Sequence, residues 1–266
     1  MKSITITTLL TSGLLAAGLV LTGCQSSAAE MTPASAPVVQ AAAQPVTLDL
    51  KAGQVLQMAM PKARAGDAAK AARQAYYTTA LPLAEEFGDE RIGVLAVNET
   101  VVGTPKPSAL IFYAFPDEAS RDGFESHPDW PTYKAQRPDG WDELMIFSTT
   151  MTDDTVLQFN PDKHYTLAIA WTNPENPNDY ARYLDGVETD FDRVGARFMH
   201  EFKDIVFETH QNPNAKAPTQ LTLVEWDTRE GLMALLGGDV YKANSGYFSR
   251  GVADIQLYRL NVPKPS

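Results

Sequence analysis

The chain has 266 residues, and its 22 Lys and Arg against 33 Asp and Glu give a formal net charge of −11. A net acidic surface repels phosphates, which argues against nucleic acid as a partner. There is one cysteine, so no intramolecular disulfide can form and no site with several thiolate ligands is available.

The start of the chain predicts export. Lys2 is followed by an apolar stretch concentrated in residues 14–21. That stretch is shorter than the roughly 20 apolar residues of a membrane-spanning helix. It ends in Leu21-Thr22-Gly23-Cys24, which resembles the lipobox of bacterial lipoproteins. The resemblance implies cleavage after residue 23, acylation of Cys24 and anchoring in a lipid bilayer. Gln25 at the next position is similar to the usual sorting pattern of such lipoproteins, and that resemblance implies the outer membrane, on its periplasmic face.

Residues 24–45 predict a flexible tether, because they are rich in Ser, Ala, Pro and Gln and cannot bury a core. The folded part is expected to begin near Val46. We predict that it divides into two repeats, 46–155 and 156–266.

The first repeat is predicted to contain four strands and two helices. A helix with apolar positions at helical spacing is predicted from about Asp67 to Phe87, with an interruption at Pro82. A second helix is predicted from Asp117 and is broken near His127-Pro128. The predicted strands are Val55–Met60, Ile92–Val102, Ala109–Phe115 and Leu144–Thr149.

The second repeat shows the same order. A helix is predicted to begin near Asp179. Its apolar positions recur at helical spacing and are Tyr180, Tyr183, Leu184, Val187, Phe191 and Val194. The run Asp227-Thr228-Arg229-Glu230 is similar to a capping box and predicts the start of the next helix. The predicted strands are Tyr165–Trp171, Phe202–Thr209, Leu221–Trp226 and Ile255–Leu260.

The two repeats align at a nearly constant offset. Leu56 aligns with Leu167, Asp117 with Asp227 and Leu144 with Ile255, at separations of 111, 110 and 111 positions. Each half therefore reads β-α-β-β-α-β, the ferredoxin-like order. Two helices cover only one face of such a sheet, and the other face needs a partner. We predict an α+β fold in which two tandem ferredoxin-like repeats pack as an intramolecular dimeric α/β barrel.

The second repeat resembles a known family. Residues 178–183 are similar to the helix start, and residues 224–230 to the strand-to-helix joint, of the small DUF1330 proteins of the dimeric α/β-barrel superfamily. The first repeat matches more loosely, through 115–135. The superfamily includes cofactor-free monooxygenases, haem-degrading enzymes and polyketide cyclases, so fold alone does not decide function. The resemblance implies a pocket between the sheet and the helices of each half.

The segment 126–133 carries the most chemistry. His127 is a candidate acid or base near neutral pH, with Tyr133 beside it. Trp130 and Asp129 are candidates to contact a ligand. The segment is similar to the His-Pro-x-His segment of stress-responsive barrel proteins, but Trp130 stands where the second histidine would be. A surface helix break is the alternative interpretation.

Four further aromatic residues, Tyr113, Trp171, Trp226 and Tyr241, are candidates to line a ligand site, with a purely structural role in the core as the alternative. Three histidines of the second half, His164, His200 and His210, raise the question of metal or haem. Their spacing fits no known ligand motif, so no metal site and no cofactor is predicted.

Two main hypotheses of function follow. The first is a lipid-anchored periplasmic module that binds a small apolar or aromatic molecule or an envelope protein. The second is a cofactor-independent oxygenase, cyclase or isomerase that uses His127 as acid or base. Haem binding is a further alternative.

Overall fold

Antiparallel strands with helices packed against them make up the described part of the chain, residues 43–264 of a computed structural model. These residues belong to one unit that spans 40–266. The predicted signal, Cys24 and residues 24–42 of the predicted tether lie outside the described residues. Within 43–264, no helix has both the length and the apolar character needed to cross a membrane.

The first half begins with two strands and the longest helix. Its elements are β1 (Val46–Leu50), β2 (Val55–Ala63), α1 (Asp67–Glu86), β3 (Glu90–Val102), β4 (Ala109–Phe115), α2 (Glu118–Glu125), α3 (Trp130–Lys134), α4 (Arg137–Gly140) and β5 (Trp141–Thr150). The second half has one more strand. Its elements are β6 (Thr155–Phe159), β7 (His164–Thr172), α5 (Asp179–Glu188), α6 (Phe191–Val194), β8 (Ala196–Phe202), β9 (Val206–Thr209), β10 (Gln220–Trp226), α7 (Gly231–Gly237), α8 (Asp239–Gly251) and β11 (Val252–Asn261).

Two local predictions agree with the structure. Asp117 caps α2, because its side chain accepts a 2.7 Å hydrogen bond from the Ser120 backbone N–H. The break at His127-Pro128 separates α2 from α3. Pro82 does not end the helix, since α1 continues through this residue to Glu86.

Two other local predictions need correction, and two strands were missed. The strand predicted over 202–209 is two strands, β8 and β9, which are separated at Asp204, a non-glycine residue with a positive φ of 52°. The run 227–230 forms no side-chain cap, and α7 begins only at Gly231. Asp227 instead accepts a 2.6 Å hydrogen bond from Lys163 Nζ. The short strands β1 and β6 were not predicted.

Nine strands form one sheet in the order β8-β10-β7-β11-β3-β4-β2-β5-β9. The first half supplies β3-β4-β2-β5 and the second half supplies β8-β10-β7-β11. The halves join where β11 pairs with β3 and where β5 pairs with β9. Only residues 203–205 separate β8 from β9, the two ends of this order, so the sheet must curve back toward itself.

The core has three parts. The largest lies on the face of the sheet away from the helices and combines both halves, including Met58 and Phe112 from the first and Tyr165 and Leu223 from the second. The β1–β6 ribbon packs into it through leucine and phenylalanine side chains. Two smaller clusters lie under the helices, one in each half. The helix-covered faces are where the candidate sites lie.

Candidate functional site

A cavity of about 290 Å³ lies between the helices and the sheet of the second half. We call it the second-half cavity. Its walls come from α5, α6, α7 and α8, from strands β7, β8, β10 and β11, and from Val101 and Val102 of β3 in the first half. Among the described residues, no charged side chain lines it. The aromatic lining residues are Tyr180, Tyr183, Phe191, Phe198, Trp226, Tyr241 and Phe248.

The spacing of apolar residues on α5 builds one wall of this cavity. Tyr180, Tyr183, Leu184 and Val187 recur at helical spacing and are buried toward the sheet. Helix α8 approaches α5 closely because its last residue is Gly251. A Cβ at Gly251 would lie 2.5 Å from the Tyr180 backbone nitrogen.

The few polar groups of the second-half cavity are neutral. Thr166 Oγ1 accepts a 3.0 Å hydrogen bond from Trp226 Nε1, and Thr222 Oγ1 accepts one of 2.9 Å from Gln220. Burial raises the pKa of Tyr180 to about 12 and raises the pKa of Tyr183 as well. Both phenols therefore stay protonated at neutral pH, and the cavity offers hydroxyl groups in an otherwise apolar wall.

The corresponding space in the first half, here called the first-half cavity, is about 80 Å³. Trp130 and Arg137 occupy its end near α3 and α4. The Arg137 guanidinium carbon lies 4.9 Å from the Trp130 ring centroid, and Arg137 Nε donates a 3.1 Å hydrogen bond to Tyr76 Oη. Arg137 is buried, and its positive charge is paired with Glu208 of β9.

Asp89 lines the other part of the first-half cavity. It follows α1 and is only 9% exposed, and its Oδ1 has no hydrogen-bond partner among the described residues. Burial, followed by the nearby charges of Glu85 and Glu90, raises the pKa of Asp89 to about 7. Tyr113 shares the cavity, and burial raises its pKa to about 12.

A larger cleft, of about 600 Å³, adjoins this cavity between α3, α4, β5 and β9. Its ionisable groups form a network in which Glu208 accepts hydrogen bonds from both Lys134 and Arg137. Glu125 and His210 also line the cleft. Burial raises the pKa of Glu125 and lowers that of His210. These groups belong to the polar surroundings of the buried Arg137.

The structure does not bring the proposed acid–base pair into a cavity. His127 Nδ1 accepts a 3.3 Å hydrogen bond from the Asp129 backbone N–H, and its ring packs edge-on against Phe87. His127 and Tyr133 line neither the two cavities nor the cleft, and Asp129 is exposed. His127 as the base of an enclosed site is therefore not supported by this arrangement.

The predicted aromatic residues separate into different places. Trp130 and Tyr113 line the first-half cavity, and Trp226 and Tyr241 line the second-half cavity. Trp171 lines a separate groove, where its Nε1 donates a 2.9 Å hydrogen bond to the Lys216 carbonyl. They do not form a single ligand site.

The three histidines of the second half also lie apart. His164 begins β7, His200 lies in β8, and His210 follows β9. Burial lowers the pKa of His200. Residues 43–264 contain no cluster of three His, Cys, Asp or Glu side chains arranged to hold a metal ion.

Sequence reasoning missed Asp89, Arg137 and Glu208 as site residues. Asp89 stands in an ordinary polar run, Glu85-Glu86-Phe87-Gly88-Asp89, so its type and spacing carry no signal of burial. Tyr180 and Tyr183 were placed on the apolar face of their helix, which was a usable signal for a lining role.

No family model matches the sequence, and no curated protein matches it. Among solved structures, an anthrone oxidase-like protein aligns over 80% of this chain and 94% of its own, with 9% identity and a TM-score of 0.48. A mutant chlorite dismutase from Candidatus Nitrospira defluvii covers 80% and 93%, with 7% identity and a TM-score of 0.44. A heme-binding protein from Thermus thermophilus covers 83% and 95%, with 9% identity and a TM-score of 0.38. These similarities are too distant to carry an inference about function.

Proposed function

We propose that the protein binds one small, uncharged, aromatic or apolar molecule in the second-half cavity. The observation that carries the proposal is the cavity of about 290 Å³ without a charged lining residue in the described part of the chain. An apolar protein cavity of roughly 150 Å³ is enough to hold benzene. A molecule of one or two rings therefore fits the space.

The lining favours a neutral ligand with a single polar group. An ion would lose its hydration in this cavity without a counter-charge, which costs far more than burying a ring. Tyr183 and Tyr241 bring phenol groups to the lining, while Thr222 already accepts a hydrogen bond from Gln220. A phenol or an aromatic ketone matches this combination of ring faces and hydroxyl groups.

The fold proposal accompanies the ligand proposal. We propose that 46–155 and 156–266 are two tandem ferredoxin-like repeats that form a dimeric α/β barrel within one chain, related to the DUF1330 proteins. The support is the matching strand order of the halves, β3-β4-β2-β5 and β8-β10-β7-β11. The resemblance of residues 178–183 and 224–230 to that family is the second support.

The proposed setting is the periplasmic face of the outer membrane. It rests on the lipobox-like Leu21-Thr22-Gly23-Cys24 and on Gln25. Acylated Cys24 would hold the folded domain at the bilayer through the tether of 24–45. A ligand would then come from the periplasm or the membrane. We also propose that the domain could contact another protein of the cell envelope.

Binding without catalysis is favoured over the enzyme alternative. A cofactor-independent oxygenase, cyclase or isomerase needs a base at its substrate, and no carboxylate or imidazole of residues 43–264 lines the second-half cavity. Haem binding would have only tyrosine side chains as iron ligands among the described residues that line this cavity. Burial raises the pKa of Tyr180 and Tyr183, which disfavours the phenolate that binds iron. His127 lies elsewhere.

Binding is tested with a pair of similar shape and different charge, 1-naphthol and 1-naphthoate, by calorimetry on the full-length protein at pH 7. We expect saturable binding of 1-naphthol and at least tenfold weaker binding of the anion. Equal affinity for both compounds, or no binding of either, would contradict the proposal.

A cavity-filling variant locates the site. Ala168 lines the cavity from β7, so Ala168→Leu should reduce 1-naphthol affinity at least tenfold. Ala181→Leu on the exposed side of α5 is the matched control and should bind as the parent does. Unchanged binding in Ala168→Leu would place the ligand outside this cavity.

A further inference from the structure

The carboxyl end of α1 carries an uncompensated negative charge. The final turn closes on Phe87 and Gly88, where the φ of +80° suits glycine and ends the helix. The last turn contains no basic residue, although Glu85 and Glu86 lie there. A helix C-terminus favours cations because its free carbonyls carry partial negative charge.

Asp89 adds a buried carboxylate next to this helix end. Its backbone N–H donates a 3.1 Å hydrogen bond to the Ala84 carbonyl, which holds the residue against α1. The residue is only 9% exposed and lines the first-half cavity. No hydrogen bond or ion pair joins its carboxylate to another residue in the described range. Buried polar groups normally have partners, so this one is open to a ligand.

The wall beside Asp89 is aromatic. Tyr77 and Tyr113 line the same cavity, and the faces of such rings attract cations. Tyr113 keeps its proton at neutral pH, because burial raises its pKa to about 12. Its hydroxyl group can therefore accept a hydrogen bond without adding a second negative charge.

We propose that the first-half cavity binds a small organic ammonium ion with Asp89 as its counter-charge. A cation gains from the carboxylate, the helix end and the ring faces at once, whereas a neutral donor gains only a hydrogen bond. The volume of about 80 Å³ equals two or three waters at roughly 30 Å³ each. The ligand therefore has few heavy atoms, as in a short alkylamine.

The other charges around the cavity are compatible with this assignment. Arg137 lies at the end formed by α3 and α4, where Glu208 neutralises it. Burial raises the pKa of Tyr77 and Tyr113, and the positive charge of Arg91 on β3 partly opposes that increase. Glu85 and Glu90 are the charges that act on Asp89 itself, and both raise its pKa. The site is separate from the second-half cavity, so each proposal can fail without the other.

The test compares three small probes: ethylammonium, ethanol and acetate. Calorimetry on the full-length protein at pH 8 should show saturable binding of ethylammonium and at least tenfold weaker binding of the other two. Affinity for ethylammonium should fall below pH 7, because Asp89 takes up a proton there. Equal binding of ethanol, or affinity independent of pH between 5 and 8, would overturn the proposal.

A variant pair assigns the effect to one carboxyl group. Asp89→Asn should weaken ethylammonium binding at least tenfold, and Glu90→Gln, which changes a neighbouring exposed carboxylate, should change it less than threefold. Should Asp89→Asn fail to fold, carboxyl ¹³C NMR on the parent protein replaces it. The pKa of Asp89 must then fall when ethylammonium is added, and an unchanged titration would contradict the site.

Discussion

The two halves share a strand order but differ in what lies beneath their helices. In the first half Trp130 and Arg137 reduce the space to about 80 Å³, while the second half keeps about 290 Å³ with Tyr241 and Phe248 in its wall. Each helix-covered face also receives a strand from the opposite half. β3 brings Val102 to the second-half cavity, and β9 brings Glu208 to the first-half cleft.

This comparison shows how one arrangement can hold two kinds of site. In the second half, the apolar end of β3 and the aromatic side chains of the helices line a neutral cavity. A carboxylate on β9 allows an arginine to be buried, and that arginine with its stacked tryptophan fills the space. Changing these few residues should therefore make the cavity of one half resemble the cavity of the other in volume and charge.

The largest expected effect on stability comes from removing the Trp130 ring from the first-half cavity. Trp130→Ala removes a buried ring that contacts Phe124 at 4.3 Å between centroids. Such truncations cost about 3–5 kcal/mol of unfolding free energy because a cavity remains. Urea unfolding measures this loss, and Trp171→Ala, at a partly exposed position, should cost less. Equal losses would mean that Trp130 is not a core residue.

The next effect concerns the buried carboxyl group. The pKa of Asp89 is raised in the folded state to about 7, so the folded protein binds the proton more tightly than the unfolded chain does. Stability is therefore lost as pH rises from about 4 to about 7. Asp89→Asn removes this dependence and should stabilise the protein by about 4 kcal/mol at pH 8, with little gain at pH 4.

Urea unfolding midpoints of the parent and of Asp89→Asn, measured at pH 4 and pH 8, show whether the substitution stabilises the protein only at the higher pH. Glu90→Gln should show no comparable gain at pH 8. A destabilised Asp89→Asn variant at pH 8 would mean that the carboxylate is stabilised by a contact in the folded state.

The smallest effect tests a local feature of the first half. Asp117→Ala removes the acceptor of the 2.7 Å bond from Ser120 N–H at the start of α2. Loss of such a cap costs about 1 kcal/mol. The matching residue of the second half, Asp227, caps no helix. Asp227→Ala should therefore cost less, and thermal unfolding of both variants compares them.

Much of the sheet could be predicted because alternating or continuous apolar runs between turn residues mark strands locally. β4 was predicted at Ala109–Phe115, where the structure has it. The break between β8 and β9 could not be predicted, since it depends on a positive φ at Asp204, which is not a glycine. The sequence around 227–230 has the composition of a cap, but Asp227 pairs with Lys163 from a distant turn.

The candidate sites were predictable only in part. The apolar spacing of Tyr180 and Tyr183 indicated a buried helix face, and that face does line a cavity. His127 was chosen for its chemistry, but residue type does not reveal which way a side chain points. The burial of Asp89 and the pairing of Arg137 with Glu208 depend on contacts between segments far apart in sequence.

The central claim is that the second-half cavity is the binding site for a neutral aromatic molecule. Intermolecular NOEs between bound 1-naphthol and assigned methyl groups test it most directly. The account predicts contacts to Val187, Leu232 and Leu235, which line that cavity. Contacts confined to Leu81, Ile111 and Ile146, which line the first-half cavity, would contradict it.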